Sequence, residues 1–293
     1  MSLEKQSPCK VNLLLNILGK RPDGFHELET LMHPLPLFDR LTFQRSSLGI
    51  HLTSSHPSLP IDSSNLVYRA ASSFLEAAKI KDGLAIHLEK NIPLAAGLGG
   101  GSGNAATALT GLNELFDRPL ASHQLENIAA SLGSDVPFFL QEKPALATGR
   151  GEKIQSLEFF PALSEAAFLL LHPGFGIATA WAYQQLARFP SALNGQPGRG
   201  EKLLAKLHQA DLNAAGAEFY NSLEAPALEK YPILALFQDF LRSNGAAATL
   251  MSGSGSTTFA VTRDLVSAQE LSEKLKSKFG PNNWIAVVPV AKA

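Results

Sequence analysis

The chain has 293 residues, of which 45% are hydrophobic and 17% are charged, so it can bury the core of one large domain or of two ordinary ones. Its 25 lysines and arginines nearly balance its 26 aspartates and glutamates, which excludes the strong positive charge typical of proteins that bind nucleic acid or anionic membranes. Cys9 is the single cysteine, so no internal disulfide can form.

The N-terminal segment lacks the pattern of a secretion signal. Glu4 lies near its start, and Asn12 and Asn16 interrupt its apolar run. No later segment approaches the roughly 20 consecutive apolar residues of a membrane-spanning helix. We therefore expect a cytoplasmic protein with neither a nucleic acid nor a membrane as its partner.

Strand and helix patterns are interleaved in the first half of the chain. Val11, Leu13 and Leu15 fall on one face of an alternating segment, which is typical of a strand. Asn65 is placed to cap a helix, and Gly133 is placed to end another. The sequence predicts strands at residues 10–18, 40–46 and 84–90, and helices at residues 66–80, 104–116 and 122–132.

The patterns restart after Arg150. The sequence predicts strands at residues 166–174 and 282–290, helices at residues 201–219 and 232–245, two strands around a glycine turn at residues 248–261, and a mobile loop rich in proline and glycine at residues 187–202. Strands and helices do not alternate one to one, which favours an α+β fold. We expect two domains, residues 1–157 and residues 158–293.

The segment PLAAGLGGGSGNAA has five glycines between Gly97 and Gly103. It is not a P-loop, because no lysine follows the glycines. Gly101, Gly103 and Ala106 match a dinucleotide fingerprint loosely, but about ten residues separate Gly101 from the preceding predicted strand. A glycine loop that leads into a helix N-terminus and wraps a phosphate chain with backbone N–H groups fits better. A purely structural turn is the alternative.

Five segments together resemble the GHMP kinase superfamily. They are SPCKVNLLLNILGKRPDGFHELETL (residues 7–31), the glycine loop, LGSDVPFFL (132–140), ATGRGEKI (147–154) and MSGSGSTTF (251–259). The first segment is similar to the branch that acts on a cytidine diphosphate conjugate of methylerythritol. Homoserine-type and mevalonate-type kinases share the glycine loop but are not expected to carry GKRPDGFHELETL.

The resemblance implies a two-domain fold, with an N-terminal domain like that of ribosomal protein S5 and a ferredoxin-like C-terminal domain. It implies transfer of a phosphoryl group from ATP to the 2-hydroxyl of the methylerythritol unit, in the non-mevalonate route to isoprenoid precursors. The partners would be small molecules, and the chain a monomer or weak homodimer. No acidic cluster marks a magnesium site, so Mg²⁺ would be held mainly by phosphates, within reach of Ser102.

The resemblance assigns catalytic roles to Lys10 and Asp135. Lys10 would stabilise the γ-phosphate, and Asp135 would orient the acceptor hydroxyl or take its proton. Without the motifs, Lys10 reads as a solvated charge at a strand end and Asp135 as a turn residue. Because Val136 precedes a proline, we expect an extended exit from Asp135. Retention of both residues argues against a non-catalytic nucleotide-binding regulator.

The remaining site residues follow from the same resemblance. Asn12 shares a strand face with Lys10 and would bind the acceptor, whereas a surface asparagine is the plain alternative. The residues assigned to ATP are Asn65, Pro93, Leu94, Ala95, Ala96, Gly97, Leu98, Gly99, Gly100, Gly101, Ser102, Gly103 and Asn104. The other residues assigned to the acceptor are Phe25, His26, Tyr183, Gly253 and Ser254.

His26 would read the edge of the cytosine, and the base would stack between the rings of Phe25 and Tyr183. Trp181 is the alternative to Tyr183 as the second ring. A turn histidine is the alternative for His26, and a plain hairpin turn is the alternative for Gly253. The chain departs from the family pattern at Cys9, at Phe25 and at Gly103. None of these departures removes a residue assigned to the chemistry.

Overall fold

The computed structural model describes residues 2–290. The strands are β1 (Ser2–Lys20), β2 (His26–Ser46), β3 (Ile50–Ser54), β4 (Gly83–Glu89), β5 (Ala145–Gly149), β6 (Lys153–Ser156), β7 (Ala167–His172), β8 (Tyr220–Asn221), β9 (Ala248–Met251), β10 (Thr258–Thr262) and β11 (Trp284–Pro289). The α-helices are α1 (Leu66–Ala78), α2 (Gly100–Leu115), α3 (Ser122–Leu132), α4 (Thr179–Gln185), α5 (Pro190–Leu193), α6 (Arg199–Leu207), α7 (Leu212–Gly216), α8 (Glu224–Lys230), α9 (Pro232–Ser243) and α10 (Leu265–Phe279). Within residues 2–290, no helix is both long and apolar enough to cross a membrane.

The chain divides into two compact units, each built from several segments. Described residues up to Cys9, with residues 37–92 and 99–142, form the first compact unit. Residues 10–36, 93–98 and 143–290 form the second compact unit. One chain position therefore does not separate these units, and the expected domain boundary after residue 157 stays a prediction.

In the first compact unit, the end of β2 pairs antiparallel with β4, and β3 pairs parallel with β4. Helix α1 buries Val67, Ala70 and Phe74, a stripe at helical spacing. Its cap is as predicted, because the Asn65 side chain accepts a hydrogen bond from the amide of Val67. Helix α2 comes close to the ring of Phe43, because Gly111 has no side chain.

The second compact unit contains a four-stranded antiparallel sheet in the order β11-β7-β10-β9. This is the order expected for a ferredoxin-like domain. Helices α9 and α10 supply Leu234, Phe237, Leu241, Leu271 and Leu275 to a core with the apolar side chains of this sheet. The beginning of β2 pairs with β5, which pairs with β6, and β1 pairs with β8.

The predicted strands and helices are found, but four local predictions are wrong. Helix α2 begins at Gly100, not at Asn104. The sequence does not reveal this first turn, because glycine has low helix propensity. Residues 201–219 hold two helices, since Asp211 caps α7. Residues 187–202 are not an irregular loop: they include α5 and the start of α6, and the Gly195 amide donates to Ile17 O at 2.7 Å. Val136 is helical rather than extended, because Pro137 starts a 3₁₀ helix.

Candidate active site

Helix α2 starts with backbone N–H groups that have no acceptor within the helix. Gly99 precedes it in the left-handed conformation, with φ of 69°, and contributes no side-chain cap. The N–H groups of Gly100, Gly101 and Ser102 have no acceptor within the helix, because they belong to its first turn. Gly101 is exposed, and a Cβ built there has Leu66 Cδ1 as its nearest neighbour, at 3.8 Å. The helix N-terminus therefore has room for an anion.

The two glycine-rich segments of the chain are joined by hydrogen bonds. The first glycine segment is residues 93–104, and the second glycine segment is residues 252–257. Gly97 O accepts hydrogen bonds from Lys10 Nζ at 3.1 Å and from Ser252 Oγ at 2.9 Å. A Cβ on Gly97 would lie 2.0 Å from Ser252 O. Glycine is required at residue 97 because two backbones approach each other there.

Lys10 is a buried residue, not a solvated strand-end charge. It is 2% exposed, and its ammonium donates to Asn12 Oδ1. Asn12 is also buried, and its amide donates to Thr30 Oγ1, which donates in turn to Leu14 O. A Cβ on Gly253 would lie 3.4 Å from Asn12 Oδ1. Lys10, Asn12, Gly97 and Gly253 thus lie together, and Asn12 orients the lysine.

His26 and Tyr183 also lie together, with ring centroids 5.0 Å apart. Trp181 instead contacts Lys230, whose Nζ lies 4.1 Å from its ring centroid. Burial, assisted by the charge of Lys20, lowers the pKa of His26, which favours a neutral ring with one donor and one acceptor.

Phe25 is not in the same ring pair. Its side chain is 52% exposed, and the Arg150 guanidinium lies 4.7 Å from its ring centroid. The hydroxyl groups of Ser254 and Thr179 are 2.9 Å apart. All of these residues belong to the second compact unit.

The first compact unit carries Asp135, which is partly buried in the turn after α3. The pairing of Asp135 with Lys10 stays a prediction. Asn65 uses its side chain to cap α1 and to donate to Pro60 O. Asn104 is 2% exposed, and its side chain bonds with Ser7, Asp39 and Lys90, so it is not available as a phosphate donor.

Sequence reasoning missed the buried ion pair between Lys90 and Asp39. Its two members are 51 residues apart, and each lies at the end of an alternating strand segment, where a charged residue is ordinary. The sequence gives one weak signal that these charges are buried, which is that no turn residue separates either of them from its neighbouring apolar strand segment. For metals, the described residues 2–290 contain no group of three or more His, Cys, Asp or Glu side chains that could hold an ion.

Comparison with known proteins identifies the family. Residues 65–143 match the GHMP kinases N terminal domain, and residues 201–282 match the GHMP kinases C terminal. A 4-diphosphocytidyl-2-C-methyl-D-erythritol kinase from Synechococcus sp. (strain JA-3-3Ab) is 41% identical over 277 residues, which cover 92% of this chain and 88% of that protein.

Solved structures agree. A crystal structure of 4-(cytidine 5'-diphospho)-2C-methyl-D-erythritol kinase is similar with a TM-score of 0.82 and 35% identity, covering 99% of this chain and 100% of the other. Homoserine kinase from Cytophaga hutchinsonii is similar with a TM-score of 0.75 but only 19% identity, over 99% of this chain and 95% of the other, which shows the fold alone. The chain belongs to the GHMP kinase family, within the branch of 4-diphosphocytidyl-2-C-methyl-D-erythritol kinases.

Proposed function

We propose that this chain transfers the γ-phosphoryl group of ATP to the 2-hydroxyl of 4-diphosphocytidyl-2-C-methyl-D-erythritol. ATP as the donor follows from membership of the kinase family. The observation that carries the proposal is the open N-terminus of α2: three N–H groups without helical acceptors, beside an exposed glycine with space around it.

Lys10 is the proposed electrostatic catalyst. Its ammonium is held by Asn12 Oδ1 and Gly97 O, so its position is fixed before ATP binds. Phosphoryl transfer depends mainly on positioning and on stabilising charge on the transferred group. A buried cation that is already oriented serves that purpose without reorganisation. Gly97 belongs to the first glycine segment itself, which links the cation to the phosphate loop.

Asp135 is the proposed partner of the acceptor hydroxyl. A carboxylate is a weak base for an alcohol, but proton transfer can be late in a loose transition state. Orientation of the hydroxyl is therefore the main role that we assign to Asp135. Mg²⁺, when bound, would neutralise charge on the ATP phosphates. Ser102 is the one hydroxyl of the first glycine segment and the residue we assign nearest to the ion.

Recognition of cytosine is assigned to His26, with Phe25 and Tyr183 as the stacking rings. Cytosine offers an amino donor and an N3 acceptor, and a neutral imidazole with its backbone amide can match both. The contact between His26 and Tyr183 supports this assignment, because a base that stacks on Tyr183 would lie within reach of the imidazole. Gly253 and Ser254 are proposed to line the acceptor side.

The finer properties are proposals as well. We infer that the chain acts in the cytoplasm, on small molecules alone, as a monomer or weak homodimer. We also infer that residues 1–157 and residues 158–293 correspond to the two family domains.

The test is ATP turnover with four acceptors: the cytidine conjugate, its uridine analogue, homoserine and mevalonate. We expect turnover of the cytidine conjugate, with kcat/KM lower by orders of magnitude for the uridine analogue, because buried base-reading groups would be left unpaired. Turnover of homoserine or mevalonate in preference, or of none of the four, would overturn the proposal. In His26→Ala the cytidine-to-uridine ratio should shrink while the KM for ATP stays within about twofold.

A further inference from the structure

We propose that Asp39 is a positioning residue that holds the entry and the exit of the first glycine segment on one carboxylate. The inference rests on the proposed function, because it assigns the residue to the binding of ATP. Asp39 does not belong to any motif of the glycine loop. It lies near the middle of β2 and is completely buried.

The entry of the segment is held by one oxygen of Asp39. Asp39 Oδ1 accepts hydrogen bonds from the amides of Asn91, at 2.7 Å, and Ile92, at 2.9 Å. These two residues come directly before Pro93, where the segment starts. A buried carboxylate that accepts two backbone N–H groups fixes the chain at that point, because each unmade bond would leave a buried group unsatisfied.

The exit of the segment is held by the other oxygen. Asp39 Oδ2 accepts a hydrogen bond from Asn104 Nδ2 at 2.9 Å and forms the ion pair with Lys90 Nζ. Asn104 lies in the second turn of α2, and its Oδ1 accepts a bond from Lys90 Nζ at 3.2 Å. A Cβ on Gly100 would lie 3.3 Å from Lys90 Nζ, so the first turn of α2 rests on the ion pair.

The charge of Asp39 is required where it lies. An ammonium close to a helix N-terminus is unfavourable, because the helix end carries a partial positive charge. Burial lowers the pKa of Lys90, and the charge of Asp39 acts in the opposite direction. Asp39 therefore offsets both the lysine charge and the helix end. Without it, a buried cation would repel the turn that supplies the phosphate-binding N–H groups.

The functional consequence concerns ATP and not the acceptor. Asp39 binds the backbone directly before residue 93 and the side chain of Asn104 in α2. Its carboxylate therefore sets the separation between the start of the loop and the N-terminus of α2. If that separation changes, the open N–H groups of Gly100, Gly101 and Ser102 no longer converge on one phosphate. Lys10, Asn12 and His26 belong to the second compact unit, whereas Asp39 and its partners belong to the first, and acceptor binding should persist.

The experiment is Asp39→Asn, which keeps the side-chain shape but places an amide against Lys90 and Asn104. We expect the KM for ATP, and its Kd by calorimetry, to rise at least about tenfold, with the KM for the acceptor within about twofold. The matched control is Asp264→Ala. Asp264 also accepts a hydrogen bond from a backbone amide, that of Ser267 at 2.7 Å, but it caps helix α10, which belongs to the second compact unit. The control should lose stability and keep both KM values.

A second variant covers poor folding of the first. Asn104→Ala leaves the ion pair in place and removes only the hydrogen bond between α2 and Asp39. It should also raise the KM for ATP and leave the KM for the acceptor nearly unchanged. The inference is overturned if folded Asp39→Asn, or Asn104→Ala in its place, binds ATP like the parent, or if both KM values rise together. If the parent phosphorylates no acceptor, the proposed function fails, and the calorimetric Kd for ATP still tests Asp39.

Discussion

Both glycine-rich segments connect two regular elements, but only the first leads into a helix. In the second, which joins β9 to β10, a Cβ on Gly255 would lie 2.6 Å from Met251 Sδ, and one on Gly253 would lie 3.0 Å from Gly97 O. The neighbouring protein atoms are sufficient reason for these glycines. In the first segment, Gly97 has a reason of the same kind, whereas Gly101 is exposed and a Cβ there would meet only Leu66 Cδ1, at an ordinary contact distance of 3.8 Å.

The difference separates two uses of glycine that look the same in the sequence. A glycine pressed against other protein atoms is required by packing, and its replacement should cost stability. A glycine with space for a side chain is not required by packing, and at a helix N-terminus that space can admit an anion. Replacement there should cost ligand affinity instead. The comparison can be tested by four experiments.

Gly97→Ala should have the largest effect. The added Cβ would lie 2.0 Å from Ser252 O, and residue 97 has φ of 78°, which disfavours any side chain. Left-handed strain and overpacking together predict a loss of about 3–5 kcal/mol in the free energy of unfolding. Urea unfolding measures it. Stability equal to that of the parent would mean that the two segments are not in close contact.

Acid offers a way to lower stability without altering either segment. His33 is fully buried against Phe159, Phe160 and Phe168, donates through Nδ1 to Pro34 O, and burial lowers its pKa from 6.5 to about 4. The folded protein thus keeps His33 neutral, while the unfolded chain takes up a proton below pH 6.5.

Stability should therefore be complete above pH 6.5 and fall by about 3 kcal/mol as the pH drops to 4. Unfolding curves of the parent and of His33→Phe across this range measure it. We expect a flatter profile in the variant, and identical profiles would remove His33 as the cause. A variant destabilised by overpacking, such as Gly97→Ala, should unfold at a higher pH than the parent when the solution is acidified. Gly101 variants should unfold at the same pH as the parent.

Gly101→Val should leave the free energy of unfolding within about 1 kcal/mol of the parent value and weaken ATP binding at least about tenfold. Space exists for the Cβ, but the branched side chain would cover the open N–H groups. The matched variant is Gly100→Val, whose Cβ would lie 3.1 Å from Ile92 Cγ2 and should cost stability as well. Normal ATP affinity in Gly101→Val would make the first segment as structural as the second.

Ser254→Ala should have the smallest effect. Its hydroxyl lies 2.9 Å from that of Thr179, and a lost hydrogen bond to the acceptor is worth about 1 kcal/mol. We expect the KM of the acceptor to rise about fivefold and the KM of ATP to stay unchanged. A rise in the KM of ATP alone would reverse the assignment of the two segments.

Local patterns predict much of this arrangement. Alternation is enough to place Lys10 and Asn12 on one face, and the capping preference of asparagine is enough to start α1 after Asn65. The glycines themselves conceal that α2 starts at Gly100, because helix propensity argues against it. The contact between Asp39 and Lys90 depends on strand pairing across 51 residues, which no local pattern encodes.

The wrong prediction for residues 187–202 has the same reason, which is a contact between residues far apart in the sequence. Its proline and glycine content indicates a loop, but the Gly195 amide is held by Ile17 O, far away in the chain. The assignment of the site residues stays a prediction, and the sequence says least about how each side chain is used. Asn104, for example, is predicted to bind ATP, but its side chain forms hydrogen bonds with Ser7, Asp39 and Lys90.

Cys9 can serve as a reporter of strand β1, next to the proposed catalytic residue Lys10. Its thiol is the only one in the sequence and has no exposed surface, and Lys10 is the next residue. A thiol reagent can modify it only after β1 opens, so the labelling rate measures how often the chain around Lys10 becomes accessible. Any ligand that binds only the closed state must slow that rate in proportion to its occupancy. The chain therefore carries its own label for measuring ligand binding at this strand, without an engineered probe.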